Sequence, residues 1–240
     1  MQAVNGATFT VTRGTFTALI GPNGAGKTTA FNLLTGFIKP DSGRVLVDGE
    51  DVTGQRPDKI AKLGAVRTFQ LTRTLSKMKV LENVMLAAPR QPGENLGVAL
   101  FQRAKWKARD AEVREEAMAM LDEVGIVSHA DEYAATLSGG QRKLLELARA
   151  LMARPRLVML DEPMAGVNPT LGRRLLAYLN RLRSERGVTV LFVEHDMDVV
   201  MEHSDTVVVM AEGSVILQAK PDEVRRDKRV IDAYLGAATE

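Results

Sequence analysis

The sequence contains no cysteine, which excludes a disulfide framework, a thiolate metal site and a cysteine nucleophile. An excess of charge of one sign is also missing: 32 Lys and Arg residues stand against 30 Asp and Glu residues, which argues against a dedicated nucleic-acid-binding protein. No apolar run approaches the ~18 residues needed to cross a bilayer. Residues 1–12 contain neither a basic segment nor a long apolar core, so they lack the pattern of a signal peptide. We therefore expect a cytoplasmic protein that meets a membrane only through a partner.

The remaining composition is that of a globular protein, with 240 residues and 45% hydrophobic residues, enough to bury a core in one or two domains. The apolar residues alternate between two periods, which predict strands, then a helical middle, then strands and helices again. Strands are predicted at residues 7–11, 16–20, 44–47, 63–69, 157–160, 188–193 and 206–210. Helices are predicted at residues 27–35, from 113 onward, at 139–153 and from 169 onward, with Asn168 as the cap of the last one.

A phosphate-loop pattern, G-x-x-x-x-G-K-[ST], lies between a predicted strand and a predicted helix. Its residues are Gly21, Pro22, Asn23, Gly24, Ala25, Gly26, Lys27 and Thr28. The glycines let backbone N–H groups converge on phosphate oxygens, and the helix N-terminus adds a favourable dipole. We expect Lys27 to reach the β- and γ-phosphates, Thr28 to place a hydroxyl on Mg²⁺, and Thr29 to take part in binding ATP.

Two acids follow the buried strand at residues 157–160. Ligands bind at the carboxyl ends of parallel strands in open α/β sheets. Asp161 suits the Mg²⁺ role of a Walker B aspartate. Glu162 is the candidate for polarising the attacking water, because a carboxylate beside the γ-phosphate can accept a proton.

A second glycine-rich segment, Leu137-Ser138-Gly139-Gly140-Gln141, opens the helix predicted at residues 139–153. It makes another anion-binding helix start. One chain does not need two such starts for one nucleotide, unless the second serves a nucleotide held by another copy.

These three segments together resemble the nucleotide-binding domain of ABC-family ATPases, over essentially the whole chain. The resemblance implies an α/β fold of the P-loop NTPase type, with a mostly parallel core sheet and an α-helical subdomain inserted into it. Residues 1–240 would form one domain, with a core lobe at residues 1–72 and 150–240 and a helical lobe that carries the signature at residues 73–149.

The resemblance also assigns residues outside these segments. Gln70 matches the Q-loop glutamine, which contacts Mg²⁺ and water and couples to the transmembrane partner. His195 matches the H-loop histidine, which contacts the γ-phosphate and belongs with Lys27 and Glu162 to the catalytic set. Asn168 stands where many members have the D-loop aspartate, which weakens that carboxylate's role here.

The partners implied by the resemblance are a second ATP-binding subunit and transmembrane permease subunits. Two ATPase domains close head to tail, so each ATP would lie between Lys27 of one chain and Ser138, Gly139, Gly140 and Gln141 of the other. Homodimer and heterodimer both stay open. A periplasmic solute-binding protein would act only indirectly, no nucleic acid is expected, and the subunit would lie peripherally on the cytoplasmic face of the inner membrane.

The kind of transporter is indicated by less specific motifs. Arg67-Thr68-Phe69-Gln70, residues 78–84 and 162–169, and the ending Ala233-Tyr234-Leu235-Gly236 look like ATP-binding subunits of branched-chain amino-acid importers. The alternatives are the ATPase of a lipopolysaccharide-export ABC transporter and a soluble ABC-type assembly ATPase. A DNA-repair ATPase of this type needs a long coiled-coil arm, which the 110 positions from Lys27 to Leu137 cannot hold. A phosphotransferase outside the family leaves residues 137–141 unexplained.

An aromatic residue that stacks on adenine usually precedes the phosphate loop in this family. Here about 20 residues precede the loop, and both Phe9 and Phe16 fit inward strand positions. We therefore expect no such aromatic contact in this chain. Since base stacking is worth roughly 1–3 kcal/mol, ATP affinity is expected to be about tenfold or more lower than with the contact.

Overall fold

A computed structural model describes residues 3–68, 75–89 and 103–236 of the chain. The chain divides into two compact units. We call the first the core unit; it comprises Met1–Arg67, Arg156–Pro163 and Arg181–Glu240. The second, the helical unit, comprises Thr68–Pro155 and Met164–Asn180. The predicted lobes at residues 1–72 with 150–240 and at 73–149 stay a prediction about the family architecture.

The core unit is built on a mostly parallel sheet, which confirms the predicted fold class. Six of the strands found in the described residues form this sheet, in the order β4-β5-β6-β1-β7-β8, and only the β7–β8 pair is antiparallel. Its members are β1 (Phe16–Ile20), β4 (Ala65–Arg67), β5 (Leu157–Asp161), β6 (Thr189–Val193), β7 (Thr206–Ala211) and β8 (Ser214–Ala219). A separate antiparallel pair joins β2 (Leu46–Val47) to β3 (Glu50–Asp51).

The central strands are apolar on both faces, as expected for parallel strands covered on both sides. Every residue of β1 and β6 is buried, and in β5 only Leu157 is partly exposed. The core unit also contains the helices α1 (Lys27–Leu34), α2 (Pro57–Lys62), α7 (Met197–His203), α8 (Pro221–Val224) and α9 (Lys228–Gly236). The continuous apolar runs read from the sequence therefore mark the centre of this sheet.

The strand predicted at residues 7–11 is wrong, because the chain forms no strand there. The backbone of Thr10 is instead bonded by one side chain on β8: the Thr10 N–H donates to Gln218 Oε1 at 3.2 Å, and Gln218 Nε2 donates to the Thr10 carbonyl at 2.7 Å. The Gln218 side chain thus satisfies the Thr10 backbone groups that a neighbouring strand would otherwise bond. The expected inward positions are confirmed, since Phe16 is 1% exposed and Phe9 packs partly buried against the core.

The helical unit contains α3 (Val80–Met85), α4 (Arg103–Glu123) and α5 (Gly139–Met152). A further helix, α6 (Pro169–Arg186), begins in this unit. The predicted Asn168 cap of α6 is confirmed, because the Thr170 N–H donates to Asn168 Oδ1 at 2.9 Å. The buried faces of α4 and α5 carry the residues Val113, Ala117, Met120, Leu121, Leu144, Leu147, Ala148 and Leu151.

One completely buried polar side chain, Asn83 on α3, ties the start of the helical unit together. Its Oδ1 accepts from the Leu75 N–H at 2.9 Å, and its Nδ2 donates to the carbonyls of Leu75 at 3.1 Å and Lys79 at 3.0 Å. Buried backbone groups that lose such partners cost free energy. The turn at residues 75–79 therefore depends on this amide.

Within the described ranges, we find no helix with the length and apolar character that a membrane crossing requires.

Replacing Asn83 tests this dependence. We expect Asn83→Ala to lower the free energy of unfolding by about 1–3 kcal/mol, because partly buried backbone groups of Leu75 and Lys79 lose this side-chain partner. Asn180→Ala is the matched control in the same unit, since Asn180 is exposed and donates one bond, to the Leu176 carbonyl at 3.1 Å. Urea denaturation followed by circular dichroism measures both, and equal losses would contradict the proposed role.

Candidate functional site

The phosphate loop runs from the end of β1 at Ile20 to the start of α1 at Lys27. Gly26 caps α1 with a φ of 96°, in the left-handed region that favours glycine. Gly21 is required for a different reason: a Cβ at this position would lie 2.1 Å from the carbonyl oxygen of Met210 on β7. The glycines thus let the loop turn tightly against the sheet and enter a helix whose first N–H groups are free for an anion.

Lys27 is held by its own loop. Its Nζ donates to the carbonyl of Gly21 at 2.7 Å and to that of Pro22 at 2.9 Å, and the residue is 8% exposed. Burial lowers the pKa of the ammonium group, and the nearby Glu162 and Asp161 carboxylates partly offset this shift. A phosphate that reached Lys27 would therefore replace two carbonyl contacts rather than water.

Asp161, the last residue of β5, is buried with 5% exposure. Its Oδ2 accepts from Arg67 at 2.8 Å, and both side chains of this ion pair are nearly inaccessible. The other arm of the Arg67 guanidinium donates to Asn32 Oδ1 on α1 at 2.6 Å, and the group lies 5.3 Å from the centre of the Phe31 ring. Arg67 belongs to the sequence motif at residues 67–70, and the sequence pattern predicted no role for it.

Glu162 and His195, predicted separately, lie next to each other. His195 Nε2 is 2.8 Å from Glu162 Oε1, and both side chains are partly exposed. The Glu162 N–H donates to the Val193 carbonyl at 3.0 Å, so the residue after β5 is bonded to the end of β6. Glu162 has a φ of 49°, a strained value for a residue with a Cβ, which aims its side chain toward His195. The pair can hold and accept a proton.

The predicted Mg²⁺ ligands fit that ion by their chemistry. Asp161 and Thr28 offer oxygen, and Arg67 occupies only Oδ2 of Asp161, which leaves Oδ1 for a further partner. The described residues contain no group of three or more His, Asp or Glu that could cage a metal. Mg²⁺ in nucleotide sites takes one or two protein oxygens together with substrate phosphates. Gln70, the third predicted ligand, lies outside the described residues.

The second predicted anion site, in the helical unit, has the geometry of a capped helix start. The Gln141 N–H donates to Ser138 Oγ at 3.3 Å, and the Ser138 N–H donates to Gln141 Oε1 at 2.8 Å, a reciprocal capping box. Gln141 Nε2 lies 2.8 Å from His129 Nε2, so the ring holds the glutamine in this arrangement. A Cβ at Gly140 would lie 2.7 Å from the Gly166 carbonyl, which explains glycine there. Gly139 has open space around it.

A tyrosine on α9 also reaches the phosphate loop, a contact that no sequence pattern predicted. Burial raises the pKa of Tyr234, and a hydrogen bond from the Gly21 backbone partly offsets the shift. The carbonyl of the same glycine accepts a hydrogen bond from Lys27 Nζ. The loop's first residue is therefore bonded on both sides of its peptide backbone.

Comparisons with protein families agree with this geometry. Residues 4–165 match the family model described as ABC transporter. Residues 214–240 match a model described as branched-chain amino acid ATP-binding cassette transporter.

Similar proteins cover nearly the whole chain. The high-affinity branched-chain amino acid transport ATP-binding protein of Pseudomonas aeruginosa is 44% identical over 238 residues, which are 99% of this chain and 93% of that protein. The crystal structure of an ABC transporter ATP-binding cassette in its ADP conformation has a TM-score of 0.79 and 36% identity, covering 98% of this chain and 92% of the other. A dimeric bacterial ABC transporter cassette has a TM-score of 0.76 and 25% identity, with coverages of 91% and 90%.

The capping role of Ser138 can be tested on the nucleotide-free protein. We expect Ser138→Ala to lower the free energy of unfolding by about 1 kcal/mol, because the Gln141 N–H loses its acceptor, and Ser138→Asp to retain most of it. Urea denaturation measures the three proteins side by side. Stability of Ser138→Ala equal to that of the unchanged chain would show that the cap contributes nothing.

Proposed function

Because the chain belongs to the family of ABC transporter ATP-binding proteins, we propose that it is the ATP-hydrolysing subunit of a transporter that takes up branched-chain amino acids. The observation that carries the enzymatic part is geometric. The phosphate loop, Asp161 and the Glu162–His195 pair follow the carboxyl ends of β1, β5 and β6, which are neighbours in one sheet. Ligands of open α/β sheets bind at this edge.

The transported substrate class is supported by the comparisons rather than by the site. The end of the chain matches the model for branched-chain amino acid cassettes, and the Pseudomonas aeruginosa relative carries the same transport activity in its name. The amino acid itself would never touch this subunit. Its identity therefore enters through the membrane partners.

The proposed reaction is attack of water on the γ-phosphate. Glu162 accepts a hydrogen bond and then a proton from the water, while His195, 2.8 Å away, keeps the carboxylate oriented and lies ready to contact the γ-phosphate. Catalysis of this kind depends mostly on positioning and charge stabilisation, because the protein forms no covalent bond to the phosphoryl group.

Binding of the triphosphate is assigned to the loop and its lysine. The non-proline residues at the end of the loop and the start of α1 provide backbone N–H groups, and Thr28 adds its hydroxyl. Lys27 moves from the Gly21 and Pro22 carbonyls to phosphate oxygens. Thr28 and Asp161 would hold Mg²⁺, with Gln70 as a further ligand. When bound, the ion neutralises charge that develops on the phosphate oxygens.

The working assembly in this proposal contains two cassettes and the membrane subunits. Head-to-tail pairing would place Ser138, Gly139, Gly140 and Gln141 of one chain against the ATP held by Lys27 of the other. The capped start of α5 supports this, because it is a second anion-binding helix N-terminus in the same chain. The subunit would bind permeases at the cytoplasmic face of the inner membrane, and a periplasmic solute-binding protein would act on it only through them.

The role of Glu162 is tested with Glu162→Gln. We expect hydrolysis to fall by about 10²–10⁴-fold, because the amide cannot accept the proton, while ATP binding stays within threefold. The bound ATP should hold the variant as a dimer. Phosphate release measures turnover, and size-exclusion chromatography with ATP measures dimer formation.

Glu202→Gln serves as the control for that experiment, since Glu202 is an exposed glutamate on α7 of the same unit. It should hydrolyse ATP at the unchanged rate. A Glu162→Gln variant that also hydrolyses ATP at the normal rate would show that Glu162 is not the catalytic base.

The transport assignment is tested by purifying the tagged chain from its native membranes and identifying the proteins that accompany it. We expect two permeases and a second ATP-binding chain, together with stimulation of hydrolysis by a branched-chain-amino-acid-binding protein in reconstituted vesicles. Recovery without any membrane protein would contradict the transport role and leave the ATPase chemistry standing.

A further inference from the structure

One buried arginine connects three elements that lead into the site. Arg67 is the last residue of β4, and its guanidinium donates to Asp161 at the end of β5 and to Asn32 on α1. The Phe31 ring covers it at 5.3 Å. The side chain is 6% exposed, so its orientation is set by these neighbours and not by solvent.

The two oxygens of the Asp161 carboxylate have different surroundings. Arg67 bonds Oδ2 and leaves Oδ1 for another partner. The planar guanidinium presents its N–H groups in a fixed fork, whereas an ammonium group does not. Because Asn32 lies on the helix that begins with Lys27 and Thr28, the same guanidinium also connects the Asp161 carboxylate to the phosphate loop's helix.

We infer that Arg67 is a positioning residue: it holds Asp161 so that the free carboxylate oxygen faces the magnesium–ATP complex. This inference rests on the proposed function, in which Asp161 holds the ion. Arg67 itself touches neither nucleotide nor metal. Arg67 therefore affects the gain in nucleotide affinity that Mg²⁺ provides.

A purely structural reading of the same pair predicts a loss of stability alone. The chain offers a more exposed pair of the same residue types as a control for that reading. Arg183 also bonds an aspartate, Asp205 Oδ2 at 2.9 Å, and its guanidinium also lies over a phenylalanine, Phe16, at 5.5 Å. Asp205 precedes β7 and Phe16 begins β1, so this second pair lies at the opposite end of the strands from the phosphate loop.

The experiment compares Arg67→Met, Arg67→Lys and Arg183→Met with the unchanged full-length chain. The first readout is the dissociation constant of a fluorescent ATP analogue, measured once in excess EDTA and once in Mg²⁺. The second is the Mg²⁺ concentration that gives half-maximal hydrolysis at saturating ATP. Melting temperatures without nucleotide record the structural cost of each substitution.

We expect the affinity gain from Mg²⁺ to shrink at least fivefold in both Arg67 variants, with the affinity in EDTA changed less than twofold. The half-maximal Mg²⁺ concentration should rise at least fivefold. Arg183→Met should lower the melting temperature and leave both magnesium readouts within twofold of the unchanged chain. Arg67→Lys keeps the positive charge but loses the fixed fork of the guanidinium. If it behaves like Arg67→Met, the effect depends on how Arg67 positions Asp161 and not on the charge alone.

Two other outcomes would overturn the inference. Arg67 variants that melt earlier but keep the full magnesium gain would overturn the inference and leave a structural ion pair. A stronger magnesium gain would overturn it too, because Arg67 would then compete with the ion. If Arg67→Met does not fold, Asn32→Ala removes the second anchor, keeps the ion pair and should show the same loss in weaker form. Failure of the unchanged chain to bind ATP would instead contradict the proposed function.

Discussion

The buried negative charge at the end of β5 constrains the rest of this structure. Asp161 is 5% exposed, and an ionised carboxylate in such a place needs opposite charge and hydrogen bonds. Arg67 supplies both, and it is in turn held by Asn32 and Phe31. The carboxylate is thereby paired and oriented by neighbours within the core unit. The pairing requires β4 to lie beside β5, and Asn32 connects it to α1, the helix that follows the phosphate loop.

The phosphate loop is held by contacts within the core unit. Lys27 lies against the carbonyls of Gly21 and Pro22, and Tyr234 bonds the other side of the Gly21 backbone. A lysine that is already desolvated and localised loses less freedom on binding than one extended into water. In the proposed function, a phosphate would therefore replace existing contacts of Lys27. The same logic applies to Glu162, whose strained backbone and contact with His195 set the direction of the proposed base.

The two helix starts that the sequence predicts as anion sites belong to different units. The first is built around Lys27 in the core unit and the second around Ser138 in the helical unit, and each satisfies its own polar groups locally. The signature helix start uses its serine and glutamine to cap itself, while a close approach to Gly166 explains one of its glycines. Self-contained sites of this kind suit a proposed assembly in which two chains complete one another's nucleotide sites.

The sequence by itself determined whatever depends on consecutive residues: the phosphate loop, the acids after an apolar strand, the Ser138 helix start and the Asn168 cap, because local geometry and hydrogen bonding need neighbours in the chain. It also indicated the central strands, since strands buried on both faces are continuously apolar. Only the tertiary structure decided that residues 7–11 form no strand, because Gln218, 208 positions away from Thr10, bonds that backbone. The Arg67–Asp161 pair likewise depends on β4 lying beside β5, since 94 positions separate its members and no local pattern records which strands become neighbours.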